Sequence, residues 1–188
     1  MYQNDVQQSV SVLKNGGVIL YPTDTVWGIG CDATHAPAIE RIYAIKRRAS
    51  QQSLLTLALD TEMLQNHVST VPDVALQLLA SACRPVSIIY PDAKNLPQNL
   101  VADDGSIGIR LPGDPFCREL IRAFGKPVVS TSANISGTPA PGMFDDICDE
   151  IRRAVDYIVR WRQDDRRPAE ASSVIKVERD NTFRIIRK

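Results

Sequence analysis

Short apolar runs recur between stretches of helical period along the whole chain, and this alternation does most to narrow the folds open to it. Val18-Ile19-Leu20-Tyr21 reads as a buried strand stopped by Pro22. Leu54 to Leu59, Val86 to Tyr90, Ile107 to Leu111, Pro127 to Ser130 and Asp156 to Val159 repeat the pattern. Between them, Val6, Val10 and Leu13 fall at helical spacing ahead of Gly16-Gly17. Ile39, Ile42 and Tyr43 mark a second helix, with Pro37 in its first turn. The spacing predicts further helices near Thr61–His67, Asp73–Ala82, Pro115–Phe124 and Phe144–Ala154. At the end, Ser173 to Val177 and Thr182 to Ile186 flank Glu178-Arg179-Asp180-Asn181, a hairpin that must be antiparallel. The fold class that follows is α/β, with a twisted, open, mixed sheet flanked by helices. No repeat or linker interrupts the 188 residues, which read as a single domain, 1–188.

Charge and cysteine content remove several functions. Basic and acidic side chains number 22 each, which excludes a general polycation but not a local basic patch. Cys31, Cys83, Cys117 and Cys148 form no C-x-x-C pair, and His35 and His67 complete no ligand cluster, so no protein metal site is expected. There is no signal-peptide pattern and no apolar run of spanning length. A reduced, cytoplasmic chain without a membrane partner is the expectation.

Three polar clusters follow apolar strands, where open α/β sheets place ligands. Pro22-Thr23-Asp24-Thr25 runs into Val26-Trp27-Gly28-Ile29-Gly30; two hydroxyls and a carboxylate suit an amine or hydroxyl, although an ordinary turn uses the same residues. Lys46-Arg47-Arg48 ends a helix, and in an extended segment Lys46 and Arg48 share a side and clamp one anion. Favourable charge at a helix C-terminus is the plainer account of that run. Ser130-Thr131-Ser132-Ala133-Asn134-Ile135-Ser136-Gly137 packs four hydroxyls and an amide into eight residues, a density suited to phosphate or ribose oxygens. Self-satisfaction of a Ser/Thr-rich connection is its alternative. Arg110 adds a cation inside a strand, where either a ligand anion or a structural carboxylate is its partner. Gly137 to Gly142 has P-loop spacing, but Met143-Phe144 stands where Lys-Ser/Thr is needed. No dinucleotide turn or nucleophile elbow is present.

In order, these clusters resemble the motifs of the YrdC/Sua5 family, the threonylcarbamoyl-AMP synthases of tRNA modification. Pro22 to Gly30 is similar to P-T-[DE]-T-x-[YFW]-G-[LI]-G, and Lys46-x-Arg48 matches K-x-R. Ile107-Gly108-Ile109-Arg110-Leu111-Pro112 with Asp114-Pro115 resembles [VI]-[AG]-[VI]-R-x-P-x-[HD]-P. Residues 130–137 are the family's S-T-S-A-N-x-S-G unchanged, Ser172-Ser173-Val174-Ile175 resembles S-T-[VI]-[IV], and Ile185-Ile186-Arg187 resembles its final I-x-R. The resemblance spans about Gly17 to Arg187.

It implies a YrdC-like fold with a large central cavity, and a nucleotidyl transfer in which L-threonine, bicarbonate and ATP give threonylcarbamoyl-AMP and pyrophosphate for the t6A modification of tRNA. Carried over by position, Thr23, Thr25, Arg110 and Ser173 would hold threonine. Lys46 and Arg48 would be the catalytic cations on the triphosphate. Ser106, Ser130, Ser132, Asn134 and Arg187 would complete the ATP site. Mg²⁺ would accompany ATP without a dedicated protein site, and a threonylcarbamoyl transferase complex would take the product. The chain departs from the family after Arg48, where Ala49-Ser50-Gln51-Gln52-Ser53-Leu54 replaces P-x-x-[KN]-P-L. Arg84-Pro85-Val86-Ser87 likewise replaces G-P-[VL]-T. A second reading is a paralogue that binds double-stranded RNA or tRNA through Arg41, Lys46, Arg47 and Arg48 and lacks synthase activity. Net neutrality and the lack of interleaved aromatics in the loops weigh against it.

Overall fold

The computed structural model describes residues 2–48, 54–167 and 169–188. The elements are α1 (Gln3–Lys14), β1 (Ile19–Tyr21), β2 (Gly28–Gly30), α2 (Ala36–Lys46), β3 (Leu55–Leu57), α3 (Thr61–His67) and α4 (Asp73–Ser81). There follow β4 (Val86–Tyr90), β5 (Ile107–Arg110), α5 (Pro115–Phe124), β6 (Val128–Ser132), α6 (Asp149–Ala154), β7 (Tyr157–Ile158), β8 (Ser173–Val177) and β9 (Phe183–Arg187). Local chemistry sets several boundaries. His35 accepts the Ala38 amide at the head of α2, and Asp114 accepts the Cys117 amide at the head of α5. Gly16 after α1 and Gly125 after α5 take the left-handed conformation that ends a helix, with φ of 72° and 77°.

Among the described residues the strands form one mixed nine-stranded sheet in the order β7-β1-β2-β6-β3-β5-β4-β8-β9. Residues paired across strands share a face. One face carries Leu20, Ile29, Val129, Ile109 and Ile88 and packs on Ile39 and Ile42 of α2, Leu64 of α3, Ala75 of α4 and Ile151 of α6. The other face is covered only toward one end. There α1 (Val6, Leu13) and α5 (Phe116, Leu120, Ile121, Phe124) pack on Ile19, Tyr21, Leu57 and Val128. Farther along the same face the registered residues Gly28, Ser132, Ser130, Leu55, Gly108 and Ile89 have no helix in those packing groups above them. That uncovered stretch is where the cavity forms.

Two expectations need correction, and one strand was not anticipated. The Gly-rich segment after Val26, where no apolar run marks a strand, forms β2 through backbone pairing with β1 and β6. Strand β6 runs on through Ser132, so the hydroxyl-rich stretch begins inside the sheet. The helix expected from Phe144 to Ala154 is broken: Phe144–Asp146 is a 3₁₀ turn, with Asp146 bonded back to the Met143 amide, and α6 starts afresh at Asp149. The four cysteines are free thiols. Among the described residues no helix is long and apolar enough to cross a membrane.

Gly30 shows why β2 tolerates nothing larger. A Cβ there would lie 2.2 Å from the Val129 carbonyl oxygen and 2.9 Å from the Tyr21 ring, so backbone would have to move. Gly30→Ala is expected to cost about 2 kcal/mol or more, the scale of overpacking a rigid core. A denaturant midpoint equal to that of wild type would contradict this packing.

Candidate active site

The uncovered face holds a cavity of about 280 Å³. Its floor is made by Gly28, Leu55, Ile89, Gly108 and Val174, and its polar wall by Thr25, Arg48, Arg110, Ser130, Thr131, Ser132, Ser172 and Arg187. Gly108 keeps the floor open, since a Cβ there would meet Leu55 Cδ2 at 2.4 Å. A second cavity of about 920 Å³ adjoins the first, with Thr25 and Ala171 on the walls of both.

At one corner stand Thr23, Asp24, Thr25 and Arg110. Thr23 Oγ1 donates its only proton to the Val26 carbonyl at 2.8 Å and accepts the Thr25 amide at 3.0 Å. In the 2.9 Å contact between the two hydroxyls, Thr25 must therefore be the donor. Arg110 Nη1 in turn donates to Thr25 Oγ1 at 2.9 Å. This leaves Thr25 one lone pair, which suits a ligand N–H. Arg110 is 4 % exposed. Its Nη2 lies 3.3 Å from Asp24 Oδ1, while Asp24 Oδ2 accepts the Gly113 amide at 3.0 Å. Arg110 Nε is buried with no partner among the described residues. A structural carboxylate thus accounts for part of this guanidinium and leaves a buried donor for an anion.

The structure places Lys46 and Arg48 differently, Arg48 on the cavity wall and Lys46 in the loop bonds beside it. Lys46 is the last residue of α2, and Arg47 turns left-handed (φ 50°), so the chain is neither helical nor extended between them. Lys46, 1 % exposed, donates to the carbonyls of Ser132 and Asn134 and, at 3.4 Å, to Asn134 Oδ1. The Ser136 amide returns a bond to the Lys46 carbonyl at 2.9 Å. Lys46 therefore ties the end of α2 to the loop after β6 and is absent from the cavity wall, on which Arg48 stands. Burial, with the charge of Arg48 added, brings the Lys46 ammonium down to about 8, and burial likewise lowers Arg48 from the usual arginine value. Asn134 donates to the Ile135 and Thr138 carbonyls, so it shapes this loop from within. Residues 49–53, where the chain departs from the family pattern, lie outside the described residues.

The remaining site residues divide in the same way. Ser130 and Ser132 reach the wall. Ser106 instead donates to Asp104 Oδ1 at 2.5 Å and closes the turn before β5. Ser173 lines the adjoining cavity, and its neighbour Ser172, bonded to Ser87 at 2.8 Å, lines the first. Val174 lines the first cavity and Ser172 lies two residues before it, so strand alternation puts Ser172 on that side. Arg187 reaches the wall because of a bulge: Ile175 pairs with Ile185, but Val174 pairs with Arg187, leaving Ile186 extra. Arg187 donates to the Ser172 carbonyl through Nε (3.0 Å) and Nη2 (2.7 Å). Thr131 and Ser172 are further wall residues. Alternation read from Val174 points to Ser172, whereas Thr131, registered with Ile29, alternates toward the helix-covered face and is not found that way.

The buried ammonium has a stability consequence. Unfolded, Lys46 keeps a pKa near 10.5; folded, it loses its proton near 8. Between these values the unfolded chain binds more protons, so this group makes stability rise with pH. Lys46→Met lacks the component. The Tm difference, wild type minus variant, is expected to grow as pH rises from about 8 to about 10; a flat difference would contradict a lowered pKa.

Comparison with known proteins places the fold. The Sua5/YciO/YrdC family model, described as "Telomere recombination", matches residues 11–188. The threonylcarbamoyl-AMP synthase of Pseudoalteromonas translucida is 36% identical over 138 residues, covering 72% of this chain and 74% of that protein. The crystal structure of E. coli YciO superposes with a TM-score of 0.86 at 27% identity, covering 99% of this chain and 89% of its own. P. abyssi Sua5 complexed with L-threonine gives a TM-score of 0.82 at 22% identity over 93% of this chain, which spans about half (51%) of that longer protein. The chain belongs to the Sua5/YciO/YrdC family.

Proposed function

We propose that this protein is a threonylcarbamoyl-AMP synthase, a nucleotidyltransferase that converts L-threonine, bicarbonate and ATP into threonylcarbamoyl-AMP and pyrophosphate. Relatives that share about a third of its residues over most of their length carry that name, and a structural neighbour binds L-threonine. The observation that carries the reading to this chain is the corner at Arg110. Arg110 lines the cavity and its Nε has no partner among the described residues, so the guanidinium can meet a carboxylate, and the remaining lone pair on Thr25 can meet an amine. An α-amino acid presents those two groups on adjacent bonds. Thr23 supports Thr25 from behind, and Ser173 faces the adjoining cavity, from which it can close on the amino acid side chain.

In this reading the threonine amine takes up bicarbonate carbon with loss of water, and a carbamate oxygen then attacks the α-phosphorus of ATP, displacing pyrophosphate. The reaction needs alignment, charge and dryness more than a protein nucleophile. Arg48 and Arg187 supply positive charge at the cavity wall for the triphosphate, and Ser130 and Ser132 supply hydroxyls for its oxygens or the ribose. Leu54, Leu55, Ile89 and Val174 make an apolar floor that disfavours water beside the labile carbamate. Lys46, Ser106 and Asn134 contribute by fixing the loops that carry these groups. Mg²⁺ would enter on the triphosphate, whose oxygens supply its ligands. The nearby carboxylates are already engaged, Asp24 by Arg110 and Gly113, Asp114 by Arg162 and Cys117. A cytoplasmic setting and delivery of the product to a threonylcarbamoyl transferase acting on tRNA belong to the same proposal. The RNA-binding alternative loses its basic stretch: Arg41 pairs with Asp156, Arg47 pairs with Glu150, and Lys46 is buried.

Pyrophosphate release from ATP with bicarbonate, compared for L-threonine, L-serine and no amino acid, tests the reading. Release is expected to depend on threonine, and Arg110→Met is expected to raise the threonine KM about tenfold or more while leaving the ATP KM near wild type. Release that ignores the amino acid would refute the assignment.

A further inference from the structure

The segment after β7 crosses behind the amino acid corner and is held there firmly. Asp5, 5 % exposed on α1, accepts the Arg160 amide at 3.2 Å, the Trp161 amide at 3.0 Å and the Tyr157 hydroxyl at 2.5 Å. The Trp161 ring packs on Tyr2 and Phe116, with centroids 4.8 and 5.8 Å apart. Arg162 then takes a left-handed backbone, φ 67°. Glycine adopts that conformation freely, whereas a residue with a Cβ loses about 1 kcal/mol or more there. A costly backbone at an arginine draws attention to its side chain.

That side chain joins the two loops that build the corner. Nη1 donates to the Thr23 carbonyl at 3.2 Å, in the turn after β1, and to Asp114 Oδ2 at 2.7 Å, in the segment after β5. Nε reaches Asp165 Oδ2 at 3.3 Å. Thr23 begins the hydroxyl relay that runs through Thr25 to Arg110, and Gly113, next to Asp114, holds the Asp24 carboxylate. Arg162 therefore grips both ends of the relay from the adjoining cavity, whose wall it shares with Thr25, while Arg110 lines the first.

We infer that Arg162 is a positioning residue for amino acid recognition: it locks the Thr23 carbonyl to Asp114 and so holds the Thr25 hydroxyl and Arg110 guanidinium in register for the carboxylate and amine of the substrate. The inference rests on the synthase reading for the identity of that substrate, but the mechanical claim stands apart from it. Loss of the lock loosens the amino acid corner alone, because Arg48 and Ser132 sit on other elements.

Arg162→Gly is the informative variant, since glycine suits the left-handed backbone while the side chain is lost with its guanidinium bonds and its contact over the Trp161 ring. Amide hydrogen exchange without ligand is expected to speed up at Thr25 and Gly113 by about tenfold, the scale of one lost charge-assisted bond. The threonine KM is expected to rise by a similar factor while the ATP KM stays within about twofold. Unchanged exchange at Thr25 and Gly113 would overturn the inference, as would equal rises in both KM values. If the wild-type protein does not use threonine, the synthase reading fails, and the exchange rates still decide whether Arg162 holds the corner.

Discussion

A buried guanidinium in the middle of a sheet is the constraint around which this structure is arranged. Arg110 lies inside β5, almost free of water, and an arginine so placed is costly unless its donors are met. Asp24 pairs with one of its nitrogens by charge, Thr25 accepts from another, and Nε has no partner among the described residues. The cation is thus half-satisfied, and in the proposed reading the substrate carboxylate completes it. The turn after β1, the Gly113 amide and the clasp between Thr23 and Thr25 all bear on that one residue.

The cavity beside Arg110 exists because the sheet has unequal cover. Four helices pack on one face, while α1 and α5 shelter only part of the other. Along the open part the alternation of β strands turns Ser130, Ser132, Gly108 and Val174 to one side, and glycines keep the floor from filling. Lys46 then fastens the loop after β6 to the end of α2 with a buried ammonium. This loop cannot move independently of the helix that carries Arg48 into the wall.

Much of this was legible from residue patterns alone. The apolar runs that became β1, β4 and β5, Pro37 in the first turn of α2 and the span of α5 speak through local chemistry. What stayed hidden was decided by partners distant in sequence. Strand β2 carries no apolar alternation to announce it, because Gly28 and Gly30 are dictated by Thr131 and Val129 across the sheet. Lys46 and Arg48 read as a pair because nothing local announces the left-handed turn at Arg47. That Ser172 faces the first cavity and Ser173 the adjoining one is a matter of parity, and Arg187 reaches the wall through a bulge that only the pairing register reveals. Ser106 was placed at the nucleotide by the family resemblance alone, and no local pattern announces its bond to Asp104 two residues away.

The central claim is that a carboxylated amino acid is joined to the α-phosphate of ATP in this cavity. Incubating the protein with ATP, L-threonine and ¹³C-bicarbonate and recording ¹³C and ³¹P spectra tests it directly. The account predicts a carbonyl carbon coupled to the phosphorus of an AMP moiety, formed only when threonine is present. Label remaining wholly in bicarbonate, with ATP consumed or untouched, would contradict it.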